Sequence, residues 1–443
     1  MHKLIKYIGY ILIIFFLLNI FNVFLDLKLI KDKIPENFKV FLKKTVFFVS
    51  STSNELSYLK DVQKKQELRI EEYDKKLKTA EIEIIKLQKS KNLVNQLIFP
   101  QTQLLKLNYL EIELDNNTFG SNFSRDGEKA SPFYLEIIGN DLIVFSKQGQ
   151  SYSIDVTKIK SQNFTKKKIQ NNLQEFKNIE LLDVIYFQKK LYLSVFSKNE
   201  KCNDYIIFSA DYNNQKLIFT EFFNFTKIDN CNNLSSGNGG RMQIYNHKNK
   251  NGILLSSNNI YFIDFENKEK INFAFGFRNP QGLLVTKENT ILVSDHGPRG
   301  GDEINKVLYQ KNYGWPYSSY GEKYNESLRE NDPMEYKKSH LKFGYEEPIF
   351  SFLEGIAPSQ IIEIDSNFSK KWSENSIYLL SSLRTGSLYR LVLSQNHDRV
   401  IGYERIYLKK RIRDLIYDKS SKTIFLAIED NNGSLGIISN DKS

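Results

Sequence analysis

Between residues 101 and 443 the chain consists almost entirely of short β-rich runs that come in pairs, and this pairing restricts the fold more than any other feature. Runs 133–138 and 142–146 flank Gly139-Asn140-Asp141, and runs 184–187 and 191–196 flank Gln188-Lys189-Lys190. Runs 253–256 and 260–265 flank Ser257-Asn258-Asn259. The same reading pairs 282–285 with 290–294, 377–380 with 388–393, and 415–417 with 423–428. Hairpins at this density, with no helical period between them, mean an all-β domain. Roughly 340 residues of them are too many for a simple sandwich, whereas a β-propeller hides nearly all of its sheet edges in a closed ring of blades. At roughly 55 residues per blade, six blades would fill the domain. No clean repeat marks the blades, so the pattern itself leaves their number open.

Upstream of the hairpins the character of the chain changes twice. Residues 7–25, YIGYILIIFFLLNIFNVFL, carry no charge. As a helix at about 1.5 Å per residue they would span roughly 28 Å, close to the thickness of a bilayer's hydrocarbon core. A cleaved signal peptide would have a shorter apolar stretch and a small-x-small site, but the flank Asp26-Leu27-Lys28-Leu29-Ile30-Lys31 has no such pattern. Residues 1–30 are therefore expected to be an uncleaved membrane anchor. Lys3 and Lys6 precede the span and Lys28, Lys31 and Lys33 follow it, so the positive-inside count does not set the orientation. Residues 31–100 are expected to form a helical stalk. From Leu56 to Val94 a 3-4 spacing passes through Leu59, Gln63, Gln66, Ile70, Tyr73, Leu77, Ala80, Ile84, Leu87 and Lys91, nine of the twelve positions being apolar, with no Pro or Gly. That is a coiled-coil seam, through which copies of the chain could associate. Leu68, Ile82 and Ile85 lie off the seam, so one long amphipathic helix packed on its own domain stays open. Pro100 ends the helical region.

The formal charge of +10 is spread over 443 residues, which suits a solvated surface, and no nucleic-acid partner is expected. Two cysteines, Cys202 and Cys231, are too few for a disulfide scaffold or an all-cysteine zinc site. Each adjoins a β-rich run, 205–210 or 216–223, so the two could bracket an antiparallel pair. In a cytosolic protein they would be free thiols. Beyond a membrane anchor the surroundings are oxidising, and a Cys202–Cys231 disulfide is expected. The orientation follows: a single-pass protein of the bacterial inner membrane, N-terminus cytoplasmic and propeller periplasmic.

Chemistry-bearing residues concentrate in two stretches. Residues 276–316 hold GFRNPQG, then SDHGPRGGDEIN after a strand, then NYGWP. Glycines let such a loop turn tightly and present carbonyls to a hard cation, and Asp302 and Glu303 can add charge or brace it. The alternative is a plain surface connection between blades. The second stretch has Arg384 after a strand and Arg411-Ile412-Arg413-Asp414 opening another. An Arg-x-Arg on a strand places both guanidinium groups on one face, as a fork for ligand carboxylates or for nearby acids of the protein itself.

These residues resemble the glucose/sorbosone dehydrogenase family. Its members are six-bladed propellers that use pyrroloquinoline quinone and calcium to oxidise sugars. The resemblance runs from about residue 133 to 438, is strong from Gly276 to Pro316, and is clear at Gly355-Ile356-Ala357-Pro358-Ser359, Ser382-Leu383-Arg384, Leu388-Tyr389-Arg390 and Arg411–Asp414. It is weak before residue 230. It implies that Arg278 and Asn279 contact the quinone and that His296 faces it. It also implies that Arg384, Arg411 and Arg413 hold the cofactor's carboxylates. Gly297 and Pro298 would offer backbone carbonyls to Ca2+, with Asp302 beside them.

Two departures bear on function. The family's general base is the His of a His-x-Gly-Gly-Arg segment, and here Gly237 stands in its place within Ser235-Ser236-Gly237-Asn238-Gly239-Gly240-Arg241. The Gln-rich segment that usually opens the second blade is replaced by Ile179-Glu180-Leu181-Leu182-Asp183. His247 falls past Arg241 and is expected on the surface, in a polar turn. The resemblance thus implies a dehydrogenase acting on a sugar or polyol, or a catalytically impaired propeller that serves as a ligand-binding or scaffold module.

Overall fold

The computed structural model describes residues 107–440 apart from 115–123, 126–127, 130–131, 160–164, 199–202, 226–238, 324–335, 369–376 and 431–432, together with Glu71, Glu72, Lys75, Lys76 and Thr79. The expected anchor, the stalk's seam residues, both cysteines and Gly237 lie outside the described residues. Among those described, no helix is long and apolar enough to cross a membrane. The chain divides into two units, 1–98 and 99–443. In the first, the described positions are helical and exposed, with a Glu72–Lys76 ion pair of 2.7 Å one turn apart.

The second unit is a propeller of six blades, each built on a four-stranded antiparallel sheet, and the first blade gains a short fifth strand, Lys216–Leu217, that runs parallel to Lys166–Asn171. The innermost strands, first to sixth, are Phe133–Ile138, Ile179–Phe187, Met242–His247, Pro280–Val285, Pro358–Ile364 and Ile412–Asp418. All six hairpins read from the sequence are present, and most of the strands run longer than those runs. The sixth blade is closed from the other end of the domain. Leu107–Glu113 is its outermost strand and pairs with Ser434–Asn440. Both ends of the unit are thereby joined in one sheet, so the ring opens only if a whole strand is lost.

The inner strands of each blade are buried on both faces, which explains why they read as near-continuous apolar runs, as in Asp141–Ser146, Ile291–Asp295 and Ile377–Ser382. In the first blade Leu135, Leu142 and Val144 pack towards the sixth, among Phe425, Ala427 and Ile437. Their neighbours Tyr134, Ile143 and Phe145 point the other way, among Leu181, Leu193 and Phe219 of the second blade and its connections. The remaining interfaces repeat this arrangement. Each fully buried Leu, Ile or Phe contributes roughly 1.5–3 kcal/mol.

His247 corrects an expectation. It ends the third blade's innermost strand, is 8% exposed, and lies among Tyr245, Phe262, Phe273 and Tyr309. Burial lowers its pKa below the usual histidine value. The polar residues after it form the turn, while its own ring packs on the apolar side.

Candidate active site at one end of the channel

Four of the innermost strands carry a register shift near their first residues: Leu181/Asp183, Pro280/Gly282, Pro358/Ile361 and Ile412/Asp414. A bulge takes a residue out of the ladder, re-aims its side chain and leaves its carbonyl unpaired. The skipped residues include Leu182, Gln281, Ser359 and Arg413, and they gather at the end of the channel where the innermost strands begin.

Arg241 fills that end. It is 1% exposed and draws on four other blades. Its Nε donates to Gln281 O at 3.0 Å, and one terminal nitrogen donates to Arg413 O at 2.7 Å, both bulge carbonyls. The other terminal nitrogen lies 3.0 Å from Asp183 Oδ1 and 2.9 Å from Asp414 Oδ1. The guanidinium sits 5.1 Å from the centre of the Tyr134 ring. Asp183 also accepts from Met242 N at 2.7 Å, and Asp414 from Leu135 N at 2.8 Å. Burial pushes both carboxyls up, Asp183 to about 7, against the pull of Arg241. Arg241 reaches the axis because Gly240 precedes it. Gly240 has φ +98°, and a Cβ there would lie 2.4 Å from the Leu182 side chain.

Arg413 and Arg411 share one acid. Glu429, 1% exposed at its side chain, receives Arg413 Nε on one oxygen and Arg411 on the other, at 3.0 Å. Arg413 also donates to Gln281 Oε1 at 3.1 Å. Burial would raise Glu429, but the two guanidiniums outweigh it and hold the carboxyl below its usual range. The two arginines do share one face, as the i, i+2 spacing requires, and the acid they meet there belongs to the protein.

The fourth blade supplies the turn 276–279. Asp295 caps it, accepting Arg278 N at 2.9 Å and Asn279 N at 2.6 Å. Burial, with Glu303 opposite, pushes Asp295 up to about 7. Arg278 donates to His296 O at 3.2 Å and lies 5.4 Å from the Trp315 ring, which a long connection returns to Gly276 O. Asn279 Oδ1 accepts from Gly239 N at 3.1 Å and Gln281 Nε2 at 2.8 Å, which leaves its amide N–H donors without a partner among the described residues. His296 Nε2 is held against Pro358 O of the fifth blade.

The 297–302 loop is braced from inside. Asp302 is 3% exposed, and its two oxygens accept Gly297 N at 2.8 Å and Ala357 N at 2.7 Å. Burial pushes it up to about 6. Its carboxylate therefore supports the loop. A Cβ on Gly297 would lie 2.1 Å from Gly301 O, so only glycine fits this turn. The carbonyls of Gly297 and Pro298 accept no hydrogen bond among the described residues. No group of three or more acids, His or Cys among the described residues could hold a metal, so a cation here would rest on backbone oxygen.

Arg384 is exposed and makes no ion pair among the described residues. A Cβ on Gly355 would lie 3.1 Å from its guanidinium and 3.2 Å from Gly300, which puts Arg384 beside the glycine loop. Arg278, Asn279, His296, Gly297, Pro298, Asp302, Arg384, Arg411 and Arg413 thus all occupy the same end of the ring. Sequence reasoning missed Asp183, Asp295, Asp414 and Glu429 as partners, and took Arg241 only as part of a motif. Only Asp183 carries a signal of its own, a lone acid between apolar strand residues.

The geometry of the donor set suits an acidic ligand with several carboxylates. Two guanidiniums already satisfied by Glu429 stand beside a half-buried Arg278 and, with no partner among the described residues, the Arg384 guanidinium and the amide donors of Asn279. Among curated proteins, the aldose sugar dehydrogenase YliI of Escherichia coli is 32% identical over 146 residues, 32% of this chain and 37% of that one. Quinoprotein glucose dehydrogenase B of Acinetobacter calcoaceticus is 36% identical over 70 residues, 13% of this chain and 15% of that one. The chain thus spans at most little more than a third of the length of these curated relatives. Among solved structures, the apo-form of the soluble aldose sugar dehydrogenase from Escherichia coli superposes with a TM-score of 0.58 at 18% identity, over 75% of this chain and 100% of that one. A glucose dehydrogenase superposes with a TM-score of 0.56, also at 18% identity, over 74% and 99%. Residues 145–437 match the Glucose / Sorbosone dehydrogenase family across most of the propeller, and the chain belongs to that family.

Proposed function

We propose that the cationic end of the channel binds pyrroloquinoline quinone beside a calcium ion and oxidises a sugar or polyol there. The observation that carries this reading is the convergence of Arg278, Arg384, Arg411 and Arg413 from three consecutive blades on one end of the ring. The bound quinone would supply a two-electron acceptor, polarised by the cation. Arg384 and Arg278 would pair with its carboxylates, and Arg411 and Arg413 would add charge while Glu429 keeps them in place. Asn279 would donate from its amide, and the Gly297 and Pro298 carbonyls would hold the cation with Asp302 keeping their loop in shape.

Gly237 favours a second reading, a propeller that binds its cofactor but turns over slowly. As the oxidised sugar carbon gives its hydride to the acceptor, the hydroxyl on that carbon must lose its proton, and glycine offers no base to take it. A positioned base contributes ~10²–10⁴-fold. Weak aldose oxidation is expected from the natural protein, and Gly237→His is expected to raise turnover by up to that factor. Dye-linked assays of both proteins on an aldose panel, with quinone and calcium supplied, decide between the readings. Robust turnover without the histidine would remove the impaired reading.

We also propose that residues 7–25 anchor the protein in the bacterial inner membrane with the propeller periplasmic, that the stalk self-associates, and that Cys202 and Cys231 are joined. Alkylation of the denatured, unreduced protein checks the disulfide: two labelled thiols would refute it.

A further inference from the structure

Beside Arg384, on the outer side of the same channel end, lies a cleft lined by Arg384, Thr385, Arg405 and Tyr407. The Arg405 guanidinium is fixed in place. Its Nε donates to Ser387 Oγ at 2.8 Å and a terminal nitrogen to Thr385 O at 3.0 Å, and the group lies 5.3 Å from the Tyr407 ring centre. Both acceptors are neutral, so the positive charge is not cancelled. Glu404, the acid next to it in the strand, is committed to Arg390 at 2.9 Å. Glu354 lies close enough to act on Tyr389 but pairs with neither Arg384 nor Arg405. The outermost strand of the fifth blade, Val400–Tyr407, alternates strictly, with Ile401, Tyr403, Arg405 and Tyr407 exposed. Tyr407 is 63% exposed, and Tyr403 54%. A fixed guanidinium with its remaining N–H groups open suits a carboxylate or phosphate, and an exposed ring beside it suits the C–H face of a sugar.

We propose that this cleft is an anion-recognising subsite and that the sugar taken by the protein carries an acidic group. The inference rests on the sugar-oxidising reading of the neighbouring site, but it is tested without quinone, so the two can fail separately. Full-length protein is titrated calorimetrically with glucuronate, glucose 6-phosphate, glucose and inorganic phosphate. One acidic sugar is expected to bind about 10- to 100-fold more tightly than glucose, the range for a charge-assisted hydrogen-bonded pair. The tighter of glucuronate and glucose 6-phosphate identifies the recognised group as carboxylate or phosphate. Arg405→Gln is expected to abolish that preference, Tyr407→Ala to weaken the acidic sugar but not inorganic phosphate, and Lys409→Gln, which alters an exposed lysine just past the strand that does not line the cleft, to leave both unchanged. If Arg405→Gln does not fold, Arg405→Lys, which keeps the charge without the fork, is expected to lose part of the preference. Equal affinity for glucose and the acidic sugars would overturn the proposal. So would wild-type affinity in Arg405→Gln or full retention in Arg405→Lys, and so would inorganic phosphate binding as tightly as glucose 6-phosphate.

Discussion

Arg241 and Arg384 sit at the same end of one propeller, yet their surroundings are opposite. Arg241 is enclosed, shared between two carboxylates and two bulge carbonyls, and its hydrogen bonds tie the second, fourth and sixth blades to the third, with the Tyr134 ring of the first blade against it. Arg384 is exposed, with no acid partner among the described residues, beside a glycine loop with free carbonyls. Arg411 and Arg413 stand between these extremes, partly exposed but already paired to Glu429. Residue type therefore does not separate structure from recognition here. What separates them is whether the charge is neutralised inside the fold. A closed cluster contributes to the ring's integrity, whereas an open one leaves binding energy available to a ligand.

Breaking the closed cluster is expected to have the largest effect on stability. Arg241→Leu would leave Asp183 and Asp414 facing each other without a cation, at a cost of about 3–5 kcal/mol. Urea denaturation followed by fluorescence would show it as a large fall in the midpoint, and an unchanged midpoint would mean that the axis is not held this way. Glu429→Gln should cost less, about 1.5–3 kcal/mol, because two partly exposed guanidiniums keep access to water. The same variant should bind anions at least as tightly as the wild type, since it opens a pair that was closed.

Asp295 sharpens the comparison through pH. Its folded pKa, about 7, lies above the unfolded value, so between about pH 4 and 7 the folded state binds more protons. Its contribution is largest in acid and declines as pH rises, by at most about 1.4 kcal/mol per pH unit. Asp295→Asn should flatten the fall in melting temperature over that window. Parallel profiles for the two proteins would show that another group sets the slope. Smallest of all, Arg384→Gln should change stability by less than about 0.5 kcal/mol, as expected at an exposed position with no partner.

Much of this was legible in the sequence for a simple reason. Hairpins are local, and the runs at 133–138 and 142–146 or at 253–256 and 260–265 needed only their own turn to be paired correctly. Glycine and proline in the 276–316 stretch marked the candidate loop because tight turns demand those residues. The closing strand Leu107–Glu113 was not legible, because its partner lies more than 300 residues away, at the other end of the domain. Nor were the acids. Asp183 reads as an acid within an apolar run, and only the bulge beside it and the arrival of Arg241 from the next blade give it a role. His247 was misplaced for a related reason: polar neighbours in sequence hid the aromatic residues that later strands bring around it.

The central claim is that the open arginines, and not the closed one, await an acidic cofactor. Titrating full-length protein with pyrroloquinoline quinone in calcium, followed by the quinone's absorbance, tests it most directly. One saturable site per chain is expected, weakened about 10-fold or more by Arg384→Gln while the melting temperature of the unliganded protein stays put. No saturable binding, or equal affinity in Arg384→Gln, would contradict the account.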